Sequence, residues 1–390
     1  MRPGIKSLKE RVELLRLRLA QQFQSGHPAR RAPRQVVVDV RAHLRAFPEL
    51  GFFAEVLPAQ ERELEKPRGL PVRWFRAPEK KHHAFPSEGL YYLKNARVAP
   101  GYVGAVVTAD NVLLRPFSRD PFGWGWHRSS NRFSLPPVKR LAGRTLFLGT
   151  AEAHANYYHF LLDFMPRLLM ARHAWGGWDG VDHILLEQGT LPFFSELLAA
   201  AGVPVSRVIP MDASSHFVCD ELVVPDDTAS EFYVNPGRIG LLRTLPSRGA
   251  GRGERIFLSR RTARVRRLLN EAALAEGLAK LGYAEVTMDG LSVAEQHAIL
   301  ASARSIVAVH GAAMANLVFC APGAQVIEIA DEKVPRGYYW SVSQAVGLRH
   351  QFFPATSDAH LHDNEIHRIN SRDLRVDVPA LLALVSRLEG

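Results

Sequence analysis

The sequence predicts an α/β protein of two domains, each built on a parallel sheet. Between residues 144 and 226, short β-branched runs alternate with segments of helical periodicity, and a second series of this kind extends from residue 255 to residue 329. Strands that alternate with helices pair in parallel through crossover connections. The length of 390 residues also exceeds the usual size of one domain.

The elements of the first series follow from apolar runs and helix-start signals. In order, we predict a strand at RTLFLG, a helix over 155–172, a strand at DHILLE, a helix over 191–201, strands at SRVIP and CDELVVPD, and a helix that begins near Pro236. Proline suits the first turn of a helix, where its missing N–H is no loss.

The second series begins at the strand RIFLS and an arginine-rich loop. Asn270 is a candidate N-cap for the next helix, and Gly282 closes that helix. Ser292 and Glu295 have the spacing of a capping box, which starts a further helix. The strand SIVAV, a tight turn at His310-Gly311 into a helix, and the strand QVIEIA follow.

Loop composition divides the chain into three parts. Residues 1–35 predict an amphipathic helix and a linker, residues 36–248 an N-terminal acceptor-side domain, and residues 249–390 a C-terminal nucleotide-sugar-binding domain. The boundary is placed in residues 246–254, PSRGAGRGE, which lack apolar anchors. Residues 36–135 give weak signals, apart from a hairpin predicted around Asp110-Asn111.

The helix predicted over residues 5–23 has an apolar stripe and a basic opposite face. It fits a docking or short coiled-coil helix, and equally an interfacial helix on an anionic membrane. No secretory signal or apolar run of about 20 residues is present, so we expect a cytoplasmic protein that sits peripherally on the inner face of the plasma membrane if the helix is interfacial. Cys219 and Cys320 are expected to be reduced and buried.

A net charge of +10 indicates anionic partners. The densest basic cluster, residues 260–267, precedes a helix instead of forming a stripe with interleaved aromatic residues. It therefore suits one diphosphate better than nucleic acid, which we do not expect to bind.

Three strand ends of the second series carry polar residues, and parallel sheets bind ligands at that edge. Ser259 and Arg260 follow one strand, with Arg266 in the same loop. Arginine grips phosphate oxygens with a bidentate fork. A solvated basic loop is the alternative.

The turn at His310 lets a ligand approach the backbone through Gly311 and Ala312, ahead of Asn316 in the helix. Glu328, at the end of the next strand, is placed to accept both ribose hydroxyls. A structural histidine and an ordinary strand-terminal glutamate are the alternatives.

In the first series, His159 and Asp163 stand four residues apart on one helix face, and Pro166 is expected to end or kink that helix. A histidine and a carboxylate of this kind can deprotonate an acceptor hydroxyl, or simply hold the helix in place. His154 is five residues from His159 and on another face, so a metal site is not expected.

Some motifs are absent from the sequence. It has no dinucleotide fingerprint, Walker A loop, CxxC pair, HExxH or GxSxG. An Asp-x-Asp metal triplet is also missing, with Asp226-Asp227 as a weak substitute. An epimerase acting on nucleotide sugars is therefore disfavoured, because that class normally needs a dinucleotide.

Together these residues resemble glycosyltransferase family 61 over about residues 145–330. The marks are Asn156-Tyr157-Tyr158-His159 with Asp163 and Pro166-Arg167, Ser259-Arg260 with Arg266 and Asn270-Glu271, Glu295-Gln296, His310-Gly311-Ala312 with Asn316 and Phe319, and Glu328. The resemblance implies a GT-B fold, in which two Rossmann-like domains with parallel sheets face a central cleft and the C-terminal one holds the nucleotide sugar. It also implies transfer with inversion by a single displacement, and association of bacterial members with capsular or surface polysaccharide.

The sequence thus predicts an inverting glycosyltransferase that moves a hexosyl, N-acetylhexosaminyl or pentosyl unit from a nucleotide diphosphate sugar, UDP-linked, to a glycan or lipid-linked saccharide. No cofactor or metal is required. The catalytic candidates are Asp163 and His159, the donor-binding candidates are Ser259, Arg260, Arg266, His310, Gly311, Ala312, Asn316 and Glu328, and the acceptor-side candidates are Asn156 and Tyr158. A non-catalytic carbohydrate-binding or scaffold protein on a transferase fold is the alternative.

Overall fold

The structure is a computed structural model. It describes residues 19, 28–69, 82–101, 103–118, 128–150, 152–187, 189–226, 233–247, 249–333, 336–357 and 372–389. Apart from Leu19, the predicted helix over residues 5–23 lies outside these residues. No helix among them is both long and apolar enough to cross a membrane.

The strands are β1 Gln35–Val37, β2 Gly51–Leu57, β3 Gln60–Glu63, β4 His82–Phe85, β5 Glu88–Lys94, β6 Arg97–Ala99, β7 Ala105–Val107, β8 Val112–Leu114, β9 Lys139–Phe147, β10 His183–Glu187, β11 Val208–Met211, β12 Phe217–Pro225, β13 Arg255–Leu258, β14 Ala284–Val286, β15 Ser305–Val309, β16 Gln325–Asp331, β17 Arg349–Ser357 and β18 Leu374–Val376. The longer α-helices are α1 Val40–Ala46, α2 Met165–Trp175, α3 Pro192–Ala200, α4 Pro236–Leu242, α5 Glu271–Lys280, α6 Val293–Ser302, α7 Tyr338–Val346 and α8 Val378–Glu389. A single α-helical turn, Tyr157–His159, and a π-helix, Phe160–Phe164, precede α2, and 3-10 helices occupy Pro28–Arg30, Pro48–Leu50, Arg115–Phe117, Arg128–Asn131, Val205–Arg207 and Ala312–Phe319.

The chain forms two compact units. Unit 1 comprises Met1–Ala59 and Pro86–Thr228, and unit 2 comprises Gln60–Phe85 and Ala229–Gly390. These bounds differ from the division at residue 248, because α4 packs with the second series: Arg243 Nε donates to the Val318 carbonyl at 2.8 Å. The hairpin β3–β4 also joins unit 2, where the Glu65 amide donates to the Gln344 side chain at 2.8 Å.

Unit 1 contains a mixed sheet of ten strands. The strands β12, β9, β10 and β11 are neighbours in that order and all parallel, as the alternation after residue 144 predicts. The strands β2 and β5–β8 add an antiparallel part through β5 and β6, which both pair with β12. The parallel strands predicted for this unit are present, within a sheet that is mixed as a whole. The predicted hairpin is present as β7–β8, with Asn111 at φ 73° in its turn.

Unit 2 contains a six-stranded sheet in the order β14-β13-β15-β16-β17-β18. It is parallel from β14 to β17, and β18 is antiparallel. Every residue of β15 is buried, which is typical of a strand covered by helices on both faces. The α/β class and the parallel segments predicted for residues 255–329 are confirmed.

Of the two N-caps predicted for helices in unit 2, one is confirmed and the other is wrong. Ser292 and Glu295 form the reciprocal capping box of α6. Asn270 precedes α5, but its side chain does not cap that helix. It pairs instead with the main chain of Val376, donating to the carbonyl at 2.7 Å and accepting from the amide at 3.2 Å.

The sequence predicts that Pro166 ends or kinks its helix, but the helix does not end there. The Met165 amide donates to the Phe160 carbonyl five residues back, so the helix widens to a π-turn just before the proline. A proline ring normally collides with the carbonyl four residues earlier. The widened turn removes that conflict, and the helix continues to Trp175. π-turns inside α-helices are frequent at functional sites.

Arg167 is fully buried and joins two strand ends of unit 1. It donates to the Gly149 carbonyl at 2.8 Å and the Thr150 hydroxyl at 2.7 Å, just beyond β9, and to the Pro225 carbonyl at 3.3 Å, at the end of β12. We expect Arg167→Met to lower the free energy of unfolding by about 3 kcal/mol, because it leaves buried acceptors without donors. Chemical denaturation measures this, with the partly exposed Arg172→Met as the control. Equal stability of the two variants would contradict a bracing role for Arg167.

Candidate functional site

The loop after β13 is fixed by one buried carboxylate, Glu271, in the first turn of α5. Its Oε1 accepts from the Ser259 hydroxyl and from the Arg260 amide, both at 2.7 Å. In this structure the Ser259 hydroxyl therefore helps to fix the loop, because it donates to Glu271. The sequence analysis did not single out Glu271 as a site residue, although it stands directly after Asn270 in the family marks.

The Arg260 guanidinium is directed by its own loop. Nε donates to the Arg266 carbonyl at 3.2 Å, and Nη2 donates to the Val265 carbonyl at 2.8 Å. Nη1 has no hydrogen-bond partner among the described residues, and no described carboxylate forms an ion pair with the side chain. Burial and the positive charge of Arg266 place the pKa of Arg260 below its ordinary value. The guanidinium nevertheless remains charged, since arginine keeps its proton in proteins.

Gly311 leaves room for the Arg260 guanidinium because it has no side chain. A Cβ built on Gly311 would lie 1.9 Å from Arg260 Nη1. The backbone of Gly311 is extended, with φ 179°, a conformation open to any residue. The need for glycine is therefore steric. Arg260 therefore lies directly against the main chain of the turn after β15. This agrees with the prediction that the carboxyl ends of β13 and β15 lie on the same edge of the sheet.

Arg266 adds a second cation to this edge of the sheet. Arg266 is half-buried, and its φ of 54° is a left-handed conformation that is uncommon outside glycine. The Nε atom is buried without a hydrogen-bond partner among the described residues. Such orphaned donors are costly and need a reason. A bound anion supplies one.

His310 and Glu328 are in contact, but not in the way the sequence suggests. Glu328 lies in the middle of β16, because β17 pairs with that strand as far as Asp331, and its side chain is fully buried. Oε1 accepts from His310 Nδ1, and Oε2 lies 3.0 Å from His350 Nε2. Burial acts to raise the pKa of Glu328, but the two histidines outweigh it, so the pKa lies below its ordinary value. Glu328 is thus an ionised carboxylate engaged by two rings. Whether it also binds a ribose stays a prediction.

The remaining donor candidates lie in the helix after the turn. Ala312 begins the helix and is half-buried. Asn316 is fully buried, and its amide donates to Gln296 at 2.8 Å and to the Ala313 carbonyl at 3.2 Å. Asn316 thus ties the helix to α6, and its role in donor binding stays a prediction.

Two residues missed by the sequence analysis complete this edge. The ring of Tyr339, in α7, lies 4.9 Å from that of His310, centroid to centroid. Burial, and then the charge of Glu328, raise the pKa of Tyr339 well above its ordinary value, so it stays a neutral phenol. His350 stands at the start of β17. Neither Tyr339 nor His350 belongs to a recognisable sequence motif. They reach this edge of the sheet only because of the fold.

In unit 1, the catalytic candidates are His159, in the turn before the π-helix, and Asp163, inside the π-helix. The Asn156 side chain caps the turn by accepting from the Tyr158 amide at 3.0 Å. His159 Nδ1 lies 2.7 Å from Asp163 Oδ2, and His159 Nε2 lies 3.3 Å from Glu152 Oε2. The predicted His159–Asp163 contact is therefore present. Glu152, which the sequence analysis missed, has φ 62°, and such strained residues cluster at functional sites.

Asp163 keeps one carboxylate oxygen, Oδ1, without a hydrogen bond from the described residues. One quarter of its side chain is exposed, 24%. His154 pairs instead with Glu187 at 3.1 Å, away from His159. In the part of the chain that the structure describes, no group of histidine, cysteine, aspartate or glutamate side chains is arranged to hold a metal ion.

Unit 2 thus carries two arginines at the carboxyl edge of its parallel sheet, and unit 1 carries a histidine–carboxylate pair. Residues 157–327 match the model of the Glycosyltransferase 61 family. This segment, less than half of the chain, begins at the turn before the π-helix and ends one residue before Glu328. The Glycosyltransferase 61 match supports a glycosyltransferase and, with it, a nucleotide sugar and a glycan acceptor as partners. A comparison with curated proteins gave no match.

Proposed function

We propose that the protein is an inverting glycosyltransferase of family 61 that uses a UDP-linked sugar to glycosylate a hydroxyl of a surface polysaccharide or its lipid-linked precursor. The observation that carries the proposal is the set of unsatisfied donors around Gly311. Arg260 Nη1 and Arg266 Nε have no described partner. Two guanidinium groups that have no ion-paired carboxylate among the described residues favour a ligand that carries at least two negative charges.

A diphosphate fits this charge and position. It lies at the carboxyl edge of a parallel sheet, where such sheets bind nucleotides, and the turn at Gly311 allows close approach to the backbone. In sugar transfer, the bond from the anomeric carbon to the β-phosphate oxygen breaks and its electron pair stays on the diphosphate. Fixed cations stabilise this growing charge most in the transition state. The arginines thus take the part that a metal takes in other transferases.

The His159–Asp163 pair is proposed to activate the acceptor. Asp163 Oδ1 takes the proton of the acceptor hydroxyl as its oxygen bonds to the anomeric carbon, and His159 holds the carboxylate through Oδ2. Attack from the face opposite the diphosphate inverts the configuration. Unit 2 thus binds the donor and unit 1 supplies the base, which is the division of labour of a GT-B enzyme.

We expect Gly311→Ala to weaken UDP binding by about 100-fold, because the new methyl group displaces the Arg260 fork and removes about two charge-assisted hydrogen bonds. Thermal stabilisation by a panel of nucleotide diphosphates and their sugars identifies the ligand, and calorimetry measures the affinity. Gly240→Ala is the matched control, since a Cβ there meets open space on the exposed face of α4. The proposal fails if no nucleotide stabilises the wild-type protein, or if both alanine variants bind UDP equally well.

A further inference from the structure

His310 is placed to respond to the ligand that Arg260 and Arg266 bind. Nδ1 bonds to Glu328, which is ionised and can only accept, so Nδ1 carries a proton. Nε2 is the remaining ring nitrogen, and it has no hydrogen-bond partner among the described residues. The side chain is 12% exposed and stands next to Gly311 in sequence. Nε2 is therefore the part of His310 left for a ligand.

Glu328 is held so that it fixes the tautomer and the orientation of that ring. Its second oxygen lies 3.0 Å from His350 Nε2, and His350 Nδ1 lies 2.8 Å from the Ser343 hydroxyl of α7. Oε2 and His350 Nε2 are close but not hydrogen-bonded, so His350 contributes by its position beside the carboxylate. The contact of Oε1 with His310 Nδ1 keeps that nitrogen protonated and leaves Nε2 to face a ligand.

The charged and titratable groups around His310 come from four elements. Glu328 of β16 favours the imidazolium ion, and His350 of β17 acts through Glu328. Arg260 and Arg266, in the loop after β13, oppose it by like charge. Tyr339 of α7 stays neutral. A bound diphosphate would add negative charge to this set of groups.

We propose that His310 takes up a proton when the diphosphate of the donor binds, and that Glu328 and His350 position the ring so that Nε2–H donates to that diphosphate. The inference rests on the proposed donor site and adds His310 to it as a third cation. A neutral ring would turn a lone pair toward phosphate oxygens, which also carry lone pairs, so proton uptake and binding are linked. Glu328 is then a positioning residue, and the ribose needs another partner.

Calorimetric titration of the full chain with UDP, in two buffers of different ionisation enthalpy, measures the proton uptake directly. At about pH 7.5, where the last phosphate proton of UDP, with a pKa of about 6, is already gone, we expect net proton uptake on UDP binding by the wild-type protein. His310→Gln should bind UDP about tenfold more weakly with no uptake. His154→Gln, whose ring pairs with Glu187 in unit 1, should keep the full uptake.

Two further measurements separate positioning from folding. In ¹⁵N-histidine NMR of the wild-type protein, UDP should change one ring, absent from the spectrum of His310→Gln, from a neutral to a doubly protonated form. Glu328→Gln should keep UDP binding but lower the uptake, because the amide no longer favours the cation. UDP binding without proton uptake, or uptake that persists in His310→Gln, overturns the inference and leaves the donor site intact. Absence of UDP binding by the wild-type protein refutes the donor site itself.

Discussion

Asp163→Asn is expected to lower kcat for sugar transfer by about 10²–10⁴-fold while leaving UDP affinity unchanged. Asparagine keeps the shape of the side chain and an oxygen that can accept from His159, so the π-helix and its contacts should persist. It loses the basicity of the carboxylate, which the proposed step requires. Initial rates with the nucleotide sugar found in the stabilisation panel, with UDP affinity measured in parallel, separate the two effects.

The control for Asp163→Asn is Glu152→Gln, which removes a neighbouring carboxylate from the other side of His159. We expect a smaller loss of kcat there, because Glu152 contacts His159 and not the proposed base. Full activity of Asp163→Asn would reject Asp163 as the base. A wild-type protein that binds nucleotide sugars and glycans, yet transfers no sugar, would support the non-catalytic carbohydrate-binding alternative.

The sheet of unit 2 was predictable because its parallel strands alternate with helices along the chain and its central strand β15 is fully buried. A run such as SIVAV needs no knowledge of its partners to be read as a central parallel strand, and parallel pairing then places Arg260 and His310 on one edge. The Arg260 side chain and the turn at Gly311 are close for that reason. The Gly311 contact follows from the same topology.

The antiparallel part of unit 1 was not predictable in this way. Its strands are short, and β5 and β6 pair with β12, more than a hundred residues away in the chain. The hairpin β3–β4 likewise takes its place in unit 2 through distant contacts, including the bond from the Phe352 amide to the Arg68 carbonyl at 2.9 Å. Pairing between segments so far apart depends on packing, which local patterns do not carry.

The role of Glu328 illustrates the same limit at the level of one side chain. Its placement at a strand end was an inference from the apolar run alone, and the length of β16 is set by its partner β17. Once the strand continues to Asp331, Glu328 points into the interior and needs compensation for its buried charge. His350 provides part of that compensation, from a segment that the sequence analysis did not consider.

Arg260→Gln should weaken UDP binding by at least about 100-fold, since each charge-assisted hydrogen bond to phosphate contributes about 1.5–3 kcal/mol and two are lost. Arg260→Lys should lie between, because lysine keeps the charge but not the fork. Arg260 also bonds the carbonyls of Val265 and Arg266, so thermal unfolding is measured for each variant. A loss of affinity at unchanged stability assigns the effect to the ligand.

The matched control for Arg260 is its neighbour Arg261, which is exposed and paired with Glu285 at 2.9 Å. Arg261→Gln removes the same formal charge from the same loop, so it reports what net charge alone contributes. We expect less than a twofold change, as solvent and salt screen an exposed group. If the two glutamine variants lost affinity equally, the loop would attract UDP only through its overall charge. If neither lost affinity, the nucleotide would bind away from Gly311, and the cations there would need another ligand.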